Sequence, residues 1–368
     1  MSRCIFYLPY KLDKSGKGAR MLRPRKMIKA FENIGYEVFV IEGWSAERRK
    51  RIAQVKKDIL NGAKYDFVYS ESSTEPTLLT DPSHLPTHPF LDFGFFKFAR
   101  KHGIKIGLFY CDIYWKFSTY GEGLPAWKKK AALMNYRYDV KQYKKTLDVI
   151  YVPDMKMCNY LNEPSLKAIA KELPPGADDI DVEKRDPGKR DFSKNPLTIF
   201  YVGGIGSHYR INELMKAVHE ADDTKLILCC RDTEWEKEKA VYEPYLDNKI
   251  EVVHKSSHEL EPYYREADIC SLLFMSDEYR GMAKPFKAYE YLAHEVPVIS
   301  TKGTAIGEFV EKNAIGWNID FDAAEIRNVL DAVRKDPSML DTIRDNCSRV
   351  KRENLWTCRA ETVAEDLK

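Results

Sequence analysis

The residue types best suited to bind phosphate are concentrated in two glycine-containing stretches. Residues 13–31, DKSGKGARMLRPRKMIKAF, place Gly16 and Gly18 before four positive charges that fall within seven residues. This composition suits a basic arm for nucleic acid. It equally suits a loop that holds one small phosphate through backbone N–H groups and a cation such as Arg20. The stretch taken alone leaves both interpretations open.

The second stretch is YVGGIGSHYRI, residues 201–211, which runs from an apolar segment into Gly203 and Gly204. Glycines before a helix let backbone N–H groups approach an anion, and Arg210 adds a positive charge. The glycine spacing matches neither the dinucleotide-binding fingerprint nor a P-loop. A tight strand–helix turn without a ligand is therefore the alternative interpretation.

A lysine and a glutamate lie three positions apart in EYRGMAKPFKAYEYLAHEVPVIST, residues 278–301. On a helix beginning near Pro285, Lys287 and Glu290 share one face. A carboxylate there could accept the 2′- and 3′-hydroxyls of a ribose, and the lysine could face a phosphate. The spacing alone favours an ordinary ion pair worth about 0.3 kcal/mol.

The acidic residues give weaker signals. Asp112 ends the strand-like segment IGLFYCD. It could bind a sugar hydroxyl or cap the turn that follows. The paired acids in ADDT and ADDID lie in polar connections, so the sequence predicts no metal site. The eight cysteines form no CxxC pair, and Cys229 and Cys230 sit in an apolar run, which favours reduced core thiols.

These candidates are spaced along a regular alternation of β-rich and amphipathic helical segments. The alternation predicts parallel sheets covered by helices on both faces. It breaks between residues 172 and 196, where proline, glycine and charges crowd together. We predict a first domain at 1–175, a linker at 176–196 and a second domain at 197–350, with a C-terminal helix at 351–368 packing back on the first. Two doubly wound α/β domains would bind ligands at the carboxyl ends of their strands, facing an interdomain cleft.

The composition excludes several classes of protein. The chain has 368 residues and a net charge of +3, from 59 basic and 56 acidic side chains. A general nucleic-acid binder needs a stronger basic excess. No apolar run approaches the ~20 residues of a membrane span, and the N-terminus does not resemble a secretory signal. We expect a cytoplasmic protein.

The predicted helix at residues 125–147, within PAWKKKAALMNYRYDVKQYKKTLDVIYV, combines basic residues and tyrosines with an apolar stripe. A helix facing the core, with a solvated basic side, accounts for this pattern. Contact with an anionic lipid surface is the other interpretation. It would suit a lipid-linked acceptor and a location at the inner face of the membrane.

The order of the motifs resembles the GT-B glycosyltransferases, specifically the retaining group called family 4 or group 1. The matching segments are, in chain order, GKGARMLRPRKMIKAFENIGYEV, ELPPGAD, YVGGIG, LEPYYREADICSLLF, KPFKAYEYLAHEVPVISTKGTAIGEFV and ENLWTCRAETVAEDL. The resemblance is dense in the second half of the chain and looser in the first. It implies the GT-B fold and an enzyme that transfers a sugar from a nucleotide-sugar without a metal.

The resemblance also implies roles for individual residues. Glu290 would hold the nucleotide ribose, and Thr304 and Ala305 would lie near the donor sugar. Asp112 takes the place of a catalytic-region histidine. The donor diphosphate would be bound by a larger set: Gly16, Gly18, Arg20, Gly203, Gly204, Arg210 and Lys287.

Three departures from the family pattern weaken parts of this assignment. Met282 stands eight positions before Glu290, where the family often has a first glutamate that contacts the donor sugar. Gly204 and Tyr209 occupy the positions of the family's basic pair, and Arg210 follows one residue late. Cys111 and Asp112 replace the histidine that often ends a strand of the first domain.

We therefore expect a glycosyltransferase that uses a nucleotide-sugar, by family default a UDP-sugar, for polysaccharide or other glycan synthesis. Its acceptor would be a glycan, lipid-linked or protein-linked, and it would need no cofactor or nucleic-acid partner. A GT-B nucleotide-sugar epimerase is one alternative, although no convincing acid/base set appears in the first domain. A non-catalytic protein that binds through a basic surface is the other.

Overall fold

The alternating apolar segments fold into two parallel sheets, which confirms the predicted α/β class with two doubly wound domains. The computed structural model describes residues 2–13, 16, 18–183, 191–192, 194–207 and 209–368. The chain divides into two units. The first comprises Met1–Pro175 together with Trp356–Lys368, and the second comprises Gly176–Leu355. The chain thus returns to the first unit at Trp356, and the predicted linker at 176–196 groups with the second unit.

The first unit is built on a six-stranded parallel sheet of order β2-β1-β3-β4-β5-β6. Its strands are β1 Ser2–Tyr7, β2 Tyr36–Ile41, β3 Phe67–Glu71, β4 Lys105–Phe109, β5 Val149–Val152 and β6 Ala170–Glu172. Its helices are α1 Ala19–Asn33, α2 Ser45–Leu60, α3 Leu91–Lys101, α4 Ala126–Thr146, α5 Lys156–Leu161, α6 Pro164–Lys167 and, after the return, α14 Trp356–Leu367. Two short 3₁₀ helices, Thr77–Leu79 and Tyr114–Lys116, follow β3 and β4.

Burial of apolar side chains on both faces of β1 explains its central place in this sheet. Its last four residues are fully or almost fully buried, as a strand covered by helices on both sides requires. Met27 and Phe31 of α1 are buried, and the Phe31 ring lies 6.3 Å from that of Phe6. Gly35 follows α1 with a φ of +93°, the left-handed conformation that commonly ends a helix.

The second unit repeats this design with the strand order β12-β11-β10-β7-β8-β9. Its strands are β7 Leu197–Val202, β8 Thr224–Cys229, β9 Ile250–Val253, β10 Ile269–Leu272, β11 Val298–Thr301 and β12 Gly316–Ile319. Its helices are α7 Asn212–Glu220, α8 Asp232–Tyr242, α9 Glu261–Glu266, α10 Phe286–Ala293, α11 Ala305–Asn313, α12 Ala323–Lys335 and α13 Ser338–Glu353. Three 3₁₀ helices lie at Glu243–Tyr245, Ser257–Leu260 and Arg280–Met282.

The strand order of the second unit reverses between β7 and β10, which pair with each other. The sheet grows outward from β7 through β8 and β9 in one direction, and from β10 through β11 and β12 in the other. In open α/β sheets this switch point leaves a crevice at the carboxyl ends of the two strands, where ligands bind. The predicted glycine loop follows β7, and the segment leading to Lys287 and Glu290 follows β10.

The cysteines and helices add two observations. All eight cysteines are free thiols, and Cys229 and Cys230 are buried as predicted. Within the described ranges, no helix combines the length and the apolar character needed to cross a membrane.

Candidate functional site

In the second unit, the loops that follow β7 and β10 meet at the switch point. The Met275 N–H donates to the Arg210 carbonyl over 3.2 Å, and the rings of Tyr209 and Phe274 lie 5.9 Å apart. Beneath them the Tyr291 hydroxyl accepts from Val202 N at the end of β7. The two loops are therefore held together at the edge of the sheet where a ligand is expected.

Glu290 lies on α10, which begins after Pro285 because proline cannot continue a helix toward its N-terminus. The Glu290 Oε2 atom accepts from the Tyr264 hydroxyl over 3.0 Å and contacts the Lys287 ammonium. Among the described residues, Oε1 of Glu290 accepts no hydrogen bond. The side chain is 29% exposed, so this oxygen has acceptor capacity available for a ligand hydroxyl.

Tyr264 fixes the carboxylate, and the sequence prediction gave it no role. Its ring stacks on His294 at 4.0 Å with an interplanar angle of 14°. Burial raises the pKa of Tyr264, so its hydroxyl stays a neutral donor. Burial also lowers the pKa of His294, and the nearby Glu261 carboxylate opposes that shift. The segment LEPYYREAD, quoted above for its family resemblance, contains this tyrosine and was the available signal.

The predicted diphosphate ligand Lys287 pairs with Glu290 in the structure. This is the ion pair that the spacing alone favoured. Burial raises the pKa of the Cys229 thiol, and the Lys287 charge is among the effects that oppose it. Lys287 therefore lies close to the end of β8. A phosphate that approaches from this side would meet an ammonium group whose partner is a carboxylate on its own helix.

The glycine loop after β7 is occupied by a side chain of the protein. The N–H groups of Ile205 and Gly206 both donate to Oε1 of Glu234, each over 3.0 Å. Glu234 lies in the first turn of α8, and a Cβ atom on Gly204 would approach the same oxygen to 3.2 Å. An internal carboxylate thus takes two amides of the loop that the sequence suggested for an anion, next to the predicted Gly203 and Gly204. Gly203 donates its N–H to the Cys229 carbonyl at 3.0 Å.

The cations around this loop are paired with acidic residues. Arg210, a predicted diphosphate ligand, pairs with Glu238 over 2.9 Å, and this carboxylate contributes to raising its pKa. Arg280 was not singled out from the sequence. It stacks over Tyr209 at 5.2 Å and pairs with Asp277 over 2.6 Å. Each cation would have to exchange or share its carboxylate partner to bind a phosphate.

Thr304 and Ala305, predicted near the donor sugar, are both buried at the start of α11. The Thr304 hydroxyl donates to the Thr301 carbonyl over 2.6 Å and accepts from Gly307 N over 2.9 Å. It serves as the N-cap of α11, which leaves the Thr304 side chain no free polar atom for a sugar.

In the first unit, the predicted glycine loop leads into α1 at the carboxyl end of β1. Gly18 is the N-cap residue, and Gly16 accepts from Arg25 through its carbonyl oxygen over 2.5 Å. The Arg20 guanidinium stacks over Tyr10 at 4.7 Å, and its Nε atom has no hydrogen-bond partner among the described residues. The Arg20 Nε donor is therefore buried and unpaired among the described residues.

Arg20 also lines a cavity of about 820 Å³ within the first unit. The walls include two aromatic residues, carboxylates and residues of the connection that follows β3. They include Tyr10, Glu42, Trp44, Glu75 and His84. Such a mixture of aromatic and polar groups is typical of small-molecule sites.

Arg23, one of the basic residues of the first glycine-containing stretch, lies on α1 and does not face solvent. The side chain is buried and its guanidinium lies 3.6 Å from the centre of the Phe109 ring. It pairs with Glu71 over 3.3 Å and donates to the Leu173 carbonyl over 3.0 Å. Arg23 therefore stabilises the first unit from within.

Asp112 follows β4, and one of its carboxylate oxygens accepts from Tyr114 N over 2.7 Å. This is the turn-capping contact that the sequence offered as the alternative to a catalytic role. The neighbouring Cys111 amide donates to the Ser72 hydroxyl over 3.1 Å. Across the described part of the chain, no three His, Cys, Asp or Glu side chains gather as a metal site would require.

Comparison with known proteins gives a family match for much of the second unit. Residues 182–350 match the model of the family described as glycosyl transferases group 1. A search of curated protein sequences returns no match.

Solved structures share the fold over the whole chain. Anabaena HepE, solved with UDP and glucose, has a TM-score of 0.61 at 14% identity, covering 99% of this chain and 98% of its own. Sucrose-phosphate synthase from Thermosynechococcus elongatus has a TM-score of 0.64 at 14% identity, covering 99% and 98%. A glycosyltransferase from Rickettsia africae has a TM-score of 0.64 at 14% identity, covering 100% and 98%. Residues 182–350 are therefore similar to the group 1 glycosyl transferases, and the whole chain has the GT-B fold of these solved structures.

Proposed function

We propose that this enzyme transfers a sugar from a UDP-sugar to a glycan acceptor, and that Glu290 binds the donor ribose. The observation that carries this assignment is the hydrogen bonding of the two Glu290 carboxylate oxygens. Tyr264 holds one oxygen in place, and the other accepts no hydrogen bond among the described residues. A fixed carboxylate with a free oxygen, on a helix following the switch-point strand β10, suits a pair of vicinal hydroxyls.

The donor diphosphate would be neutralised by side chains of the protein. Lys287 and Arg280 lie on the segment from β10 to α10, and Arg210 on the loop after β7. Arg20, with the glycines 16 and 18, remains a proposed contact contributed by the first unit. Charge stabilisation of an anionic leaving group by such cations is a direct source of rate. We propose a retaining, metal-independent reaction on this basis and on the family match of residues 182–350.

UDP is proposed as the nucleotide because Anabaena HepE, which shares the fold, was solved with UDP and glucose. The acceptor would be a growing glycan, lipid-linked or protein-linked, as in polysaccharide biosynthesis. We propose a cytoplasmic location, at the inner face of the membrane if the acceptor is lipid-linked. No nucleic-acid partner and no separate cofactor belong to this proposal. Asp112 remains a candidate contact to a sugar hydroxyl.

The donor assignment can be tested by nucleotide binding. UDP at saturation should raise the melting temperature by about 2 °C or more, and GDP, CMP and ADP should raise it less. Glu290→Ala should weaken UDP binding about 100-fold or more, because charge-assisted hydrogen bonds to two hydroxyls are lost. Calorimetric titration measures this change.

Glu325→Ala is the matched control, since Glu325 is an exposed glutamate on α12 of the same unit. It should bind UDP like the unmodified protein. Equal UDP binding by Glu290→Ala would show that the ribose site lies elsewhere.

Incubation with radiolabelled nucleotide sugars separates the alternative functions. Slow release of free nucleotide supports a transferase, and conversion of the sugar supports an epimerase. Failure of every nucleotide to bind supports a basic-surface binding protein.

A further inference from the structure

We propose that the first turns of α4 bind an anionic lipid surface, with Trp127 and Met134 entering the interface. This deepens the proposed function by naming the membrane chemistry that the first unit recognises. The starting observation is an exposed apolar region. Trp127 is 69% exposed and Met134 60%, and Leu124 just before the helix is also exposed. Large apolar side chains exposed together commonly mark an interaction surface.

The exposed end of α4 is distinct from its packed end. The buried residues of this helix begin only at Tyr136 and continue to Thr146. The residues before Tyr136 therefore extend about 15 Å of helix that contributes little to the core. Trp127 and Met134 on this part of the helix are therefore mostly exposed to solvent.

The apolar residues of this segment form one stripe. At about 100° per residue, Trp127, Ala131 and Met134 fall within about 60° of one another around the helix. Lys128 lies on one side of the stripe, and Lys130 and Arg137 lie on the other. Long basic side chains that flank an apolar face can extend toward lipid headgroups while the face enters the apolar boundary.

The cations have no structural explanation within the described residues. No carboxylate there pairs with Lys128, Lys130 or Arg137, and residues 123–138 contain no acidic residue. The nearest partner of Lys128 is the ring of Trp127 at 5.5 Å. Three consecutive lysines at the third to fifth positions of the helix also oppose the helix dipole, which favours negative charge at that end. Their presence costs helix stability, and a negatively charged partner would reverse this effect.

A neighbouring helix extends the same surface. Phe90 immediately precedes α3 and is 81% exposed. The Phe93 ring packs against Tyr138 of α4 at 5.7 Å. The Arg100 guanidinium, near the end of α3, donates to the Lys145 carbonyl over 2.8 Å. The two helices therefore run in parallel, which puts Phe90 at the level of Met134. The start of α3 thus adds an exposed aromatic group beside the turn of α4 that carries Met134.

An anionic bilayer fits these features better than the other occupants. An acidic protein would pair with the lysines but would not require an exposed tryptophan, methionine and phenylalanine around them. Nucleic acid would use the cations, but the net charge of the chain is only +3, below the basic excess that a general nucleic-acid binder needs. Aromatic and aliphatic residues beside basic ones are the composition expected at a membrane interface.

Co-sedimentation with large unilamellar vesicles tests this proposal without any nucleotide or acceptor. The full chain should bind vesicles of phosphatidylcholine and phosphatidylglycerol at 3:1, bind pure phosphatidylcholine much more weakly, and dissociate as salt rises. Lys128→Glu/Lys130→Glu should weaken binding to the anionic vesicles about 30-fold or more. Trp127→Ala/Met134→Ala should weaken it about tenfold or more.

The control is Lys50→Glu/Lys57→Glu, which makes the same charge change at exposed positions of α2 in the same unit. It should bind anionic vesicles within about threefold of the unmodified chain. Failure to bind anionic vesicles would overturn the proposal. So would equal loss in the α2 control, or dimerisation that the Trp127/Met134 substitutions abolish. Since no donor is present, these outcomes are independent of whether UDP binds at Glu290.

Discussion

At the scale of single residues, the most informative side chain is Glu234. Its carboxylate accepts from two adjacent backbone amides, which is the arrangement by which such loops bind external anions. The second oxygen, Oε2, has no hydrogen-bond partner among the described residues. Glu234 therefore holds the glycine loop in shape, but it also places a negative charge beside the proposed diphosphate site.

Two substitutions should separate these effects. Glu234→Ala removes the acceptor of both amides and should lower the free energy of unfolding by about 1–3 kcal/mol, measured by urea denaturation. Glu234→Gln keeps an acceptor oxygen but removes the charge. It should preserve most of the stability and tighten UDP binding about two- to fivefold, because a repulsive charge is lost.

Glu236→Gln provides the comparison, since Glu236 is an exposed residue of the same helix that pairs with Lys239. It should alter neither stability nor UDP binding appreciably. Weaker UDP binding by Glu234→Gln at unchanged stability would contradict the repulsion argument. It would mean that the carboxylate assists the donor.

At the scale of elements, α4 anchors the segment that follows β3. Asp139 of α4 accepts from Thr77 N over 2.7 Å, and the Tyr136 hydroxyl donates to the Thr74 carbonyl over 2.5 Å. Asp139 is buried, and its other oxygen has no hydrogen-bond partner in the described part of the chain. Burial raises the pKa of Asp139 to about 7, while the bonds from Thr77 oppose this shift.

The raised pKa has a defined effect on stability. The unfolded carboxyl has a pKa of about 3.9, so the folded state binds more protons between about pH 4 and 7. Asp139 should therefore make the free energy of unfolding fall as pH rises through this window, by up to about 1.4 kcal/mol per pH unit. In Asp139→Asn this contribution is absent, because the amide does not titrate. The hydrogen bond from Thr77 is kept, since the amide oxygen can still accept it.

Urea denaturation at pH 5, 6, 7 and 8 measures the slope. Asp139→Asn should be more stable than the unmodified chain at pH 8, and the difference should shrink toward pH 5. Glu122→Gln, at an exposed position of the same unit, should leave the slope unchanged. An identical slope in Asp139→Asn would show that another group sets the pH dependence.

At the scale of the whole molecule, the two units differ in how the chain builds them. The second unit is one continuous segment, whereas the first needs its C-terminal helix to return. Leu367 of α14 is buried, and a Cβ atom on Gly107 of β4 would approach its side chain to 2.8 Å. The Tyr151 hydroxyl of β5 donates to Asp366 over 3.1 Å, and Arg359 donates to the Pro174 carbonyl over 3.2 Å.

The two segments should therefore behave differently when produced alone. Residues 176–355 should fold cooperatively. Residues 1–175 should be destabilised, since loss of a buried leucine alone costs about 2–5 kcal/mol. A synthetic peptide of residues 356–368 should restore the melting temperature of 1–175, and a scrambled peptide should not. Equal stability of 1–175 with and without the peptide would contradict this account.

The sequence by itself determined the features that depend on local pattern. Alternating apolar periods predicted two parallel sheets, and the structure has them, because a strand buried on both faces needs a continuous apolar run. The order of short motifs placed Glu290 and Lys287 on the helix that follows β10. The basic stretch at residues 125–147 was also visible, although its division into an exposed start and a packed end was not.

The tertiary structure alone decided which of these polar groups are already engaged. Glu234 contacts a loop about thirty residues earlier, Tyr264 contacts Glu290 from another helix, and Arg23 is buried although arginine side chains are mostly exposed in proteins. Such contacts depend on strand order and helix packing, which bring distant segments together. These contacts cannot be predicted from the hydrophobic periodicity of the sequence. The residue types therefore predicted the chemistry of the site. They did not predict which polar groups are free to bind a ligand and which are paired within the protein.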